Sequence, residues 1–268
     1  MRTYLNSCNT FDAHIHIGQF YNKCLFPKKL VAYLDSIGVS RFAVSSTTTC
    51  EENYKKIIEE FKQLLNIADN RCLPVLWITP RMISTRAVFS MFEQGIHWKC
   101  LKIHPQLHPT EWGKGSANLN FVASMALVWR IPLLIHTGEM AGCYPFEFDD
   151  IISRRSDVTF ILAHGRPISQ TVEMMKKYPN VWCDTAFMPT ENIVKLCKEN
   201  LSERVLWGSD YPIPKYYYPD MDMKTYYLDL VQKLKDSVSQ EDFEKITHNN
   251  FEKILQTEVL PFSKFYSN

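Results

Sequence analysis

Four short segments of the chain each end an apolar run on a side chain that can bind a metal. They are FDAHIHIG (Phe11 to Gly18), PLLIHTGE (Pro132 to Glu139), FILAHGR (Phe160 to Arg166) and VLWGSDYP (Val205 to Pro212). Each run has the length of a strand and places His or Asp where the strand gives way to a loop. A metal site needs ligands converging from rigid elements, and the ends of parallel strands supply them. His14 and His16 lie two apart, so on a strand both point to one face, with Ala13, Ile15 and Ile17 on the other. The same phase puts His136 in line with Pro132 and Leu134, His164 with Phe160 and Leu162, and Asp210 with Leu206 and Gly208. Burying several imidazoles with an aspartate is costly unless they are paired or bind a cation. Three neutral imidazoles and one carboxylate would leave a divalent ion with a net charge of about +1, suited to ionising a bound water. An isolated His-x-His is more often a pair of histidines satisfied by hydrogen bonds. Repetition of the phase is what favours a metal.

The elements that must position these residues alternate. Strands are predicted over Thr10–Ile17, Arg41–Ser46, Leu73–Thr79, Cys100–His104, Leu133–His136, Thr159–His164, Val181–Thr185 and Val205–Ser209. Between them amphipathic spacing predicts helices over Lys28–Ile37, Glu51–Asp69, Thr85–Gln94, Asn120–Trp129, Phe146–Ser153, Ile168–Lys177, Thr190–Asn200 and Met223–Ser237. Eight βα units point to a closed parallel (β/α)₈ barrel, with a doubly wound open sheet as the competing layout. Convergence of the ligands favours closure, because the first and eighth strands must then be neighbours. Gln240–Thr247 and Asn249–Leu255 are expected as extra helices packed on the barrel. No linker or repeat divides the chain, so residues 1–268 read as one domain.

FDAHIHIG, KIHP, LLIHTGE, ILAHGR and VLWGSDYP, in this order, resemble the amidohydrolase superfamily, in its amidohydrolase-related branch of metal-dependent TIM-barrel hydrolases. The closing THNNFEKIL resembles the family's Asn-containing helix after the last barrel strand, and the resemblance runs from about Thr10 to Leu255. It implies that His14, His16 and His136 are metal ligands, that Asp210 contacts the metal and accepts a proton from water, and that His164 binds metal or holds the attacking water. It also implies a role for Lys102, two before His104 on the fourth strand. In binuclear members a carboxylated lysine there bridges two ions; otherwise its ammonium pairs with a carboxylate or binds substrate. One divalent ion, zinc by default, is the expectation, and a second would follow from carboxylation of Lys102.

His104, Lys102, Arg166 and Glu139 are the candidate substrate contacts, with a hydrogen-bonded structural histidine as the even alternative for His104. Arg81 and Arg166, just past their strands, could bind a carboxylate or phosphate, or serve as salt-bridge partners. The loops His104–Asn118, Thr137–Phe148 and the tyrosine-rich stretch Tyr211–Met223 would form the mouth. Tyr216–Tyr218 read as an aromatic lid or as the contact of a homo-oligomer. GKGS (Gly113–Ser116) lacks the strand, spacing and Lys-Ser/Thr end of a phosphate loop.

The formal net charge is +1, so neither nucleic acid nor an acidic membrane surface is an expected partner. No run approaches the roughly 18 apolar residues of a membrane span, and MRTYLNSCNTFDAH has no secretory apolar core. The eight cysteines form no CxxC, which argues against a zinc ribbon or a dithiol centre. A cytoplasmic enzyme acting on a small molecule is expected, using a metal-activated water on a carbonyl, ester or lactone-type centre. A decarboxylase on the same site is the alternative, followed by a barrel that binds or regulates without catalysis.

Overall fold

The computed structural model describes residues 9–68 and 70–255. The amino-terminal stretch read for a signal, the predicted helix end at Asp69 and residues 256–268 therefore lie wholly or partly outside it. Among the described residues nine strands form one sheet: β1 Thr10–Phe20, β2 Lys23–Leu25, β3 Val39–Ser46, β4 Cys72–Trp77, β5 Cys100–Ile103, β6 Leu133–His136, β7 Phe160–Ala163, β8 Val181–Asp184 and β9 Val205–Leu206. β1 and β3 to β9 run parallel in chain order, while β2 pairs antiparallel with the outer end of β1. The ring closes just past β9. Trp207 O accepts from Ala13 N at 2.8 Å, His14 O from Asp210 N at 2.8 Å, and Tyr211 O from His16 N at 2.7 Å. The (β/α)₈ barrel with extra carboxy-terminal helices is thus the architecture, and β2 is an addition that the sequence reading lacked.

Helices start and stop for local reasons. Pro27–Ile37 opens on a proline, whose missing N–H costs nothing at a helix start, and ends at Gly38 with φ 78°. Tyr54–Ala68 buries Ile57, Phe61, Leu64 and Ala68 against the barrel, each large apolar side chain contributing roughly 1.5–3 kcal/mol. The predicted helix Thr85–Gln94 is instead two, Pro80–Ser84 and Ala87–Phe92. Thr79 caps the first by accepting from Met82 N, and Arg86 with φ 61° breaks the run. At the bottom of the barrel, Asn250 of helix Asn250–Leu255 donates to Ser202 O and Val205 O, both at 2.7 Å, and so ties this helix to the start of β9.

The core has two layers. Leu133, Ile135, Leu101 and Ile103 pack outward against the helices, whereas Cys100, Leu134, Ile161, Ala163, Trp182 and Leu206 fill the barrel above Phe251 and Ile254. The structure departs from the expected phase on two strands. On β7 it is Ile161 and Ala163 that face in, while Phe160 and Leu162 face out. His164 reaches the interior only because its own φ of 66° breaks the alternation. On β1, Ala13 faces the interior with Leu206, because an irregularity between Asp12 and Ile15 resets the register and lets His14 follow it inward.

Candidate metal centre

His14 and His16 on β1, Lys102 on β5, Asp184 closing β8 and Asp210 beyond β9 meet at the carboxyl end of the barrel, each at most 4% exposed. Gly208 makes room for this. A Cβ there would lie 2.9 Å from His14 Cβ, so only glycine lets the closing segment pass so near. Asp210 then takes a left-handed φ of 58°, turning its carboxylate toward the two imidazoles.

The nitrogen and oxygen atoms of His14, His16 and Asp210 lie within 4.8 Å of one another. Asp210 Oδ1 is 3.4 Å from His14 Nε2 and 3.0 Å from His16 Nε2. Donors about 2.0–2.1 Å from a tetrahedral ion stand about 3.3 Å apart, so this spacing fits a divalent metal. The cationic Lys102 Nζ sits against the same atoms, 2.9 Å from His14 Nε2 and 3.4 Å from His16 Nε2. Burial lowers its pKa to about 8, against the pull of Asp210 and Asp184.

Hydrogen-bond partners assign the tautomers. Burial would raise the Asp184 carboxyl, but His14 and backbone N–H groups hold it down to about 2, so it is an ionised acceptor. His14 Nδ1, 2.8 Å away, must donate to it, which leaves the Nε2 lone pair facing the centre. Asp184 Oδ1 also accepts from the N–H groups of His164 and Ala186, at 2.9 and 3.1 Å. The side chain therefore holds both a first-strand imidazole and the left-handed turn at His164. His16 is freer, because the Ser45 hydroxyl at 3.0 Å from its Nδ1 can donate or accept.

His164 Nδ1 is 3.0 Å from Ala186 O, which can only accept, so Nδ1 carries the proton. Burial lowers the pKa of this imidazole to about 4, and the neutral ring presents an accepting Nε2. His136 Nδ1, at 3.0 Å, is then the donor, and its own Nε2 keeps a lone pair. Burial likewise drives His16, His104 and His136 well below the usual imidazole range. Trp77, His104 and His136 form a column of near-parallel rings, with successive centroids 5.1 and 3.7 Å apart.

Of the expected ligands, the geometry gathers His14, His16 and Asp210, while His136 stands beyond His164. A second group that could hold a metal is His14, His164 and Asp184. Asp184 is absent from the sequence reading, although VWCD carried its signal: Trp182 and Asp184 share the inward phase of a buried strand. Asp12 was also missed. It is fully buried, pushed by burial to about 7, and accepts from the N–H groups of His14 and Ser209, both at 3.1 Å.

The centre forms the floor of a cavity of about 1160 Å³ that opens at the barrel mouth. His104, His136, Glu139, His164, Arg166 and Tyr216–Tyr218 all line it. Arg81 instead pairs with Glu52 at 3.0 Å. At the lip, Tyr216 stacks on Phe20 and accepts through its carbonyl from Lys23 Nζ at 2.9 Å. Tyr217 and Tyr218 are exposed. Among the described residues no helix is long and apolar enough to cross a membrane.

A family model described as amidohydrolase matches residues 99–256. No curated protein sequence matches the chain. Among solved structures, an uncharacterised TIM-barrel protein from Bordetella bronchiseptica superposes with TM-score 0.70 at 15% identity, covering 92% of this chain and 98% of its own. A probable 2-pyrone-4,6-dicarboxylic acid hydrolase from Acinetobacter baumannii, with citric acid bound, gives 0.68 at 9% identity, covering 93% and 100%. A 5-carboxyvanillate decarboxylase from Sphingomonas paucimobilis gives 0.64 at 11% identity, covering 93% and 99%. At these identities the likeness is one of fold.

Proposed function

The chain belongs to the amidohydrolase family, and on that premise we propose that it is a metal-dependent hydrolase acting on a carbonyl, ester or lactone-type centre of a small molecule. The observation that carries the reading is the spacing of His14 Nε2, His16 Nε2 and Asp210 Oδ1, which suits one divalent ion such as zinc. A bound ion would polarise the substrate oxygen and acidify water. His14 and His16 would hold it from β1 with Asp210, and His136, which stands beyond His164, would have to turn its unprotonated Nε2 inward to join them. Asp210 would accept the proton of the attacking water, and His164, neutral and fixed by Ala186 O, would hold that water once its Nε2 exchanges the His136 Nδ1–H for it. Lys102 balances Asp210 as an ammonium and would have to leave the His14 and His16 Nε2 atoms for an ion to bind; as a carbamate it would help to hold a second ion.

His104, Lys102, Glu139 and Arg166 contact substrate in this reading. Residues 1–268 act as one domain, in the cytoplasm, where the buried thiols of Cys72, Cys100 and Cys183 stay reduced. Decarboxylation is the second reading, supported by the shared fold with the 5-carboxyvanillate decarboxylase. Elemental analysis of untagged protein, beside His14→Ala, is the test. About one zinc or manganese per chain, lost in the variant, together with turnover of an ester or lactone panel, is expected. A chain that takes up no metal after supplementation would overturn the proposal, and release of CO₂ without incorporation of water would replace it with the second reading.

A further inference from the structure

The cavity wall holds a cation, Arg166, whose substrate contact the reaction scheme leaves without a chemical identity. Arg166 follows β7 and lines the cavity. Its Nε is buried and has no hydrogen-bond partner among the described residues. Its nearest opposite charge is Glu139, with Nη1 to Oε2 at 4.0 Å and side chains 34% and 55% exposed. A guanidinium presents a planar fork of N–H donors matched to two carboxylate oxygens. Here Nη1 faces Glu139 at the limit of ion-pair distance, and the buried Nε lacks an acceptor.

His104 adds a second unmet donor or acceptor in the same cavity. Its Nδ1 is buried without a partner among the described residues, and burial keeps the ring neutral. Stacking between Trp77 and His136 holds the ring in place. Buried polar atoms without partners are costly. Arg166 and His104 both line one cavity and each keeps such an atom, so small side-chain shifts would let a ligand there supply the missing groups.

We propose that Arg166 receives a carboxylate carried by the substrate away from its reacting centre, with Glu139 as the resting counter-ion that the incoming carboxylate displaces from the guanidinium. This rests on the hydrolase reading for its reacting centre but not for its binding step. The substrate class is an organic acid with a hydrolysable carbonyl, and His104 hydrogen-bonds a second polar group on it. An exposed ion pair at 4.0 Å is weak. A carboxylate engaging the fork from within the cavity makes two short charge-assisted bonds and wins the exchange. Glu139 thereby sets a threshold: neutral esters leave the pair intact, and acids open it.

The test reads binding rather than turnover. Zinc-supplemented wild type, Arg166→Met, Arg166→Lys and Glu139→Gln are titrated calorimetrically with benzoate and with benzamide, its uncharged isostere. Arg166→Met should weaken benzoate by about tenfold to a hundredfold while leaving benzamide unchanged. Arg166→Lys, which keeps charge but loses the fork, should fall between. Glu139→Gln should tighten benzoate by up to about fivefold. Equal benzoate affinity in wild type and Arg166→Met, no measurable benzoate binding, or weaker binding in Glu139→Gln would overturn the proposal. Should Arg166→Met lose its cooperative melt, the lysine and glutamine variants still decide. Arginine-dependent benzoate binding in a protein that hydrolyses nothing would refute the hydrolase reading alone.

Discussion

Replacing Asp184 by Asn changes one atom and should weaken metal binding without unfolding the barrel. Asp184 Oδ2 accepts from His14 Nδ1 at 2.8 Å, while Oδ1 accepts from His164 N and Ala186 N at 2.9 and 3.1 Å. An asparagine can sit two ways. With its oxygen toward His14, its NH₂ would confront two buried N–H donors and strand both, at about 1–3 kcal/mol each. With its oxygen kept on the backbone, the NH₂ faces His14 Nδ1. The imidazole must then accept at Nδ1 and carry its proton on Nε2, the atom that points at the centre. The second arrangement is favoured because it keeps both backbone bonds. Metal binding then requires reversal of the tautomer or loss of that contact, which places the effect at about tenfold to a hundredfold in affinity. Competition with a chromophoric zinc chelator measures it, and urea unfolding of the metal-free protein checks the fold. Unchanged zinc affinity in a folded Asp184→Asn variant would refute the tautomer assignment. Asp184→Ala is less informative, because it strands the two N–H groups as well.

Four further outcomes are expected. Asp210→Asn should cut turnover of an identified substrate by several orders of magnitude with the fold intact, and His164→Asn should lower turnover more than zinc content; equal loss of both would make His164 a ligand. In the metal-free protein, His16, His104, His136 and His164 are buried neutral with pKa values below the unfolded value of 6.5, His164 at about 4. The stability from these groups is present above pH 6.5 and lost as pH falls below it, while Asp12, raised to about 7, has the opposite sign. Each net proton taken up on unfolding removes about 1.4 kcal/mol per pH unit, so urea midpoints should drop steeply from pH 6.5 to 4.5; flat midpoints would show that the imidazoles charge within the fold. Gly208→Ala would place a Cβ 2.9 Å from His14 Cβ, so it should cost about 1–3 kcal/mol in urea unfolding and weaken zinc binding. Wild-type values for both would show that the closing segment yields freely.

Period-2 alternation and strand-end chemistry pointed to the barrel, its eight βα units and the inward placement of His14, His16, Lys102, His136 and Asp210, whereas His164 arrives there through its left-handed φ. On strands buried on both faces apolar residues do not alternate with polar ones, so only the inward His, Lys and Asp side chains mark the phase. The same rule failed at β7 and at Ala13, because a left-handed residue or a bulge shifts the phase without leaving a distinctive residue type. The short hairpin strand β2 exists through its pairing with the overlong end of β1, a partner that no local pattern announces. Asp184 was overlooked because its meaning is relational: an aspartate ending a strand becomes a tautomer clamp only when His14, 170 positions away, comes within 2.8 Å. The unmet groups on Arg166 and His104 are likewise facts of packing. Which side chains could do chemistry follows from composition and period, but which atom of each is free to do it depends on neighbours that only the closed ring brings together.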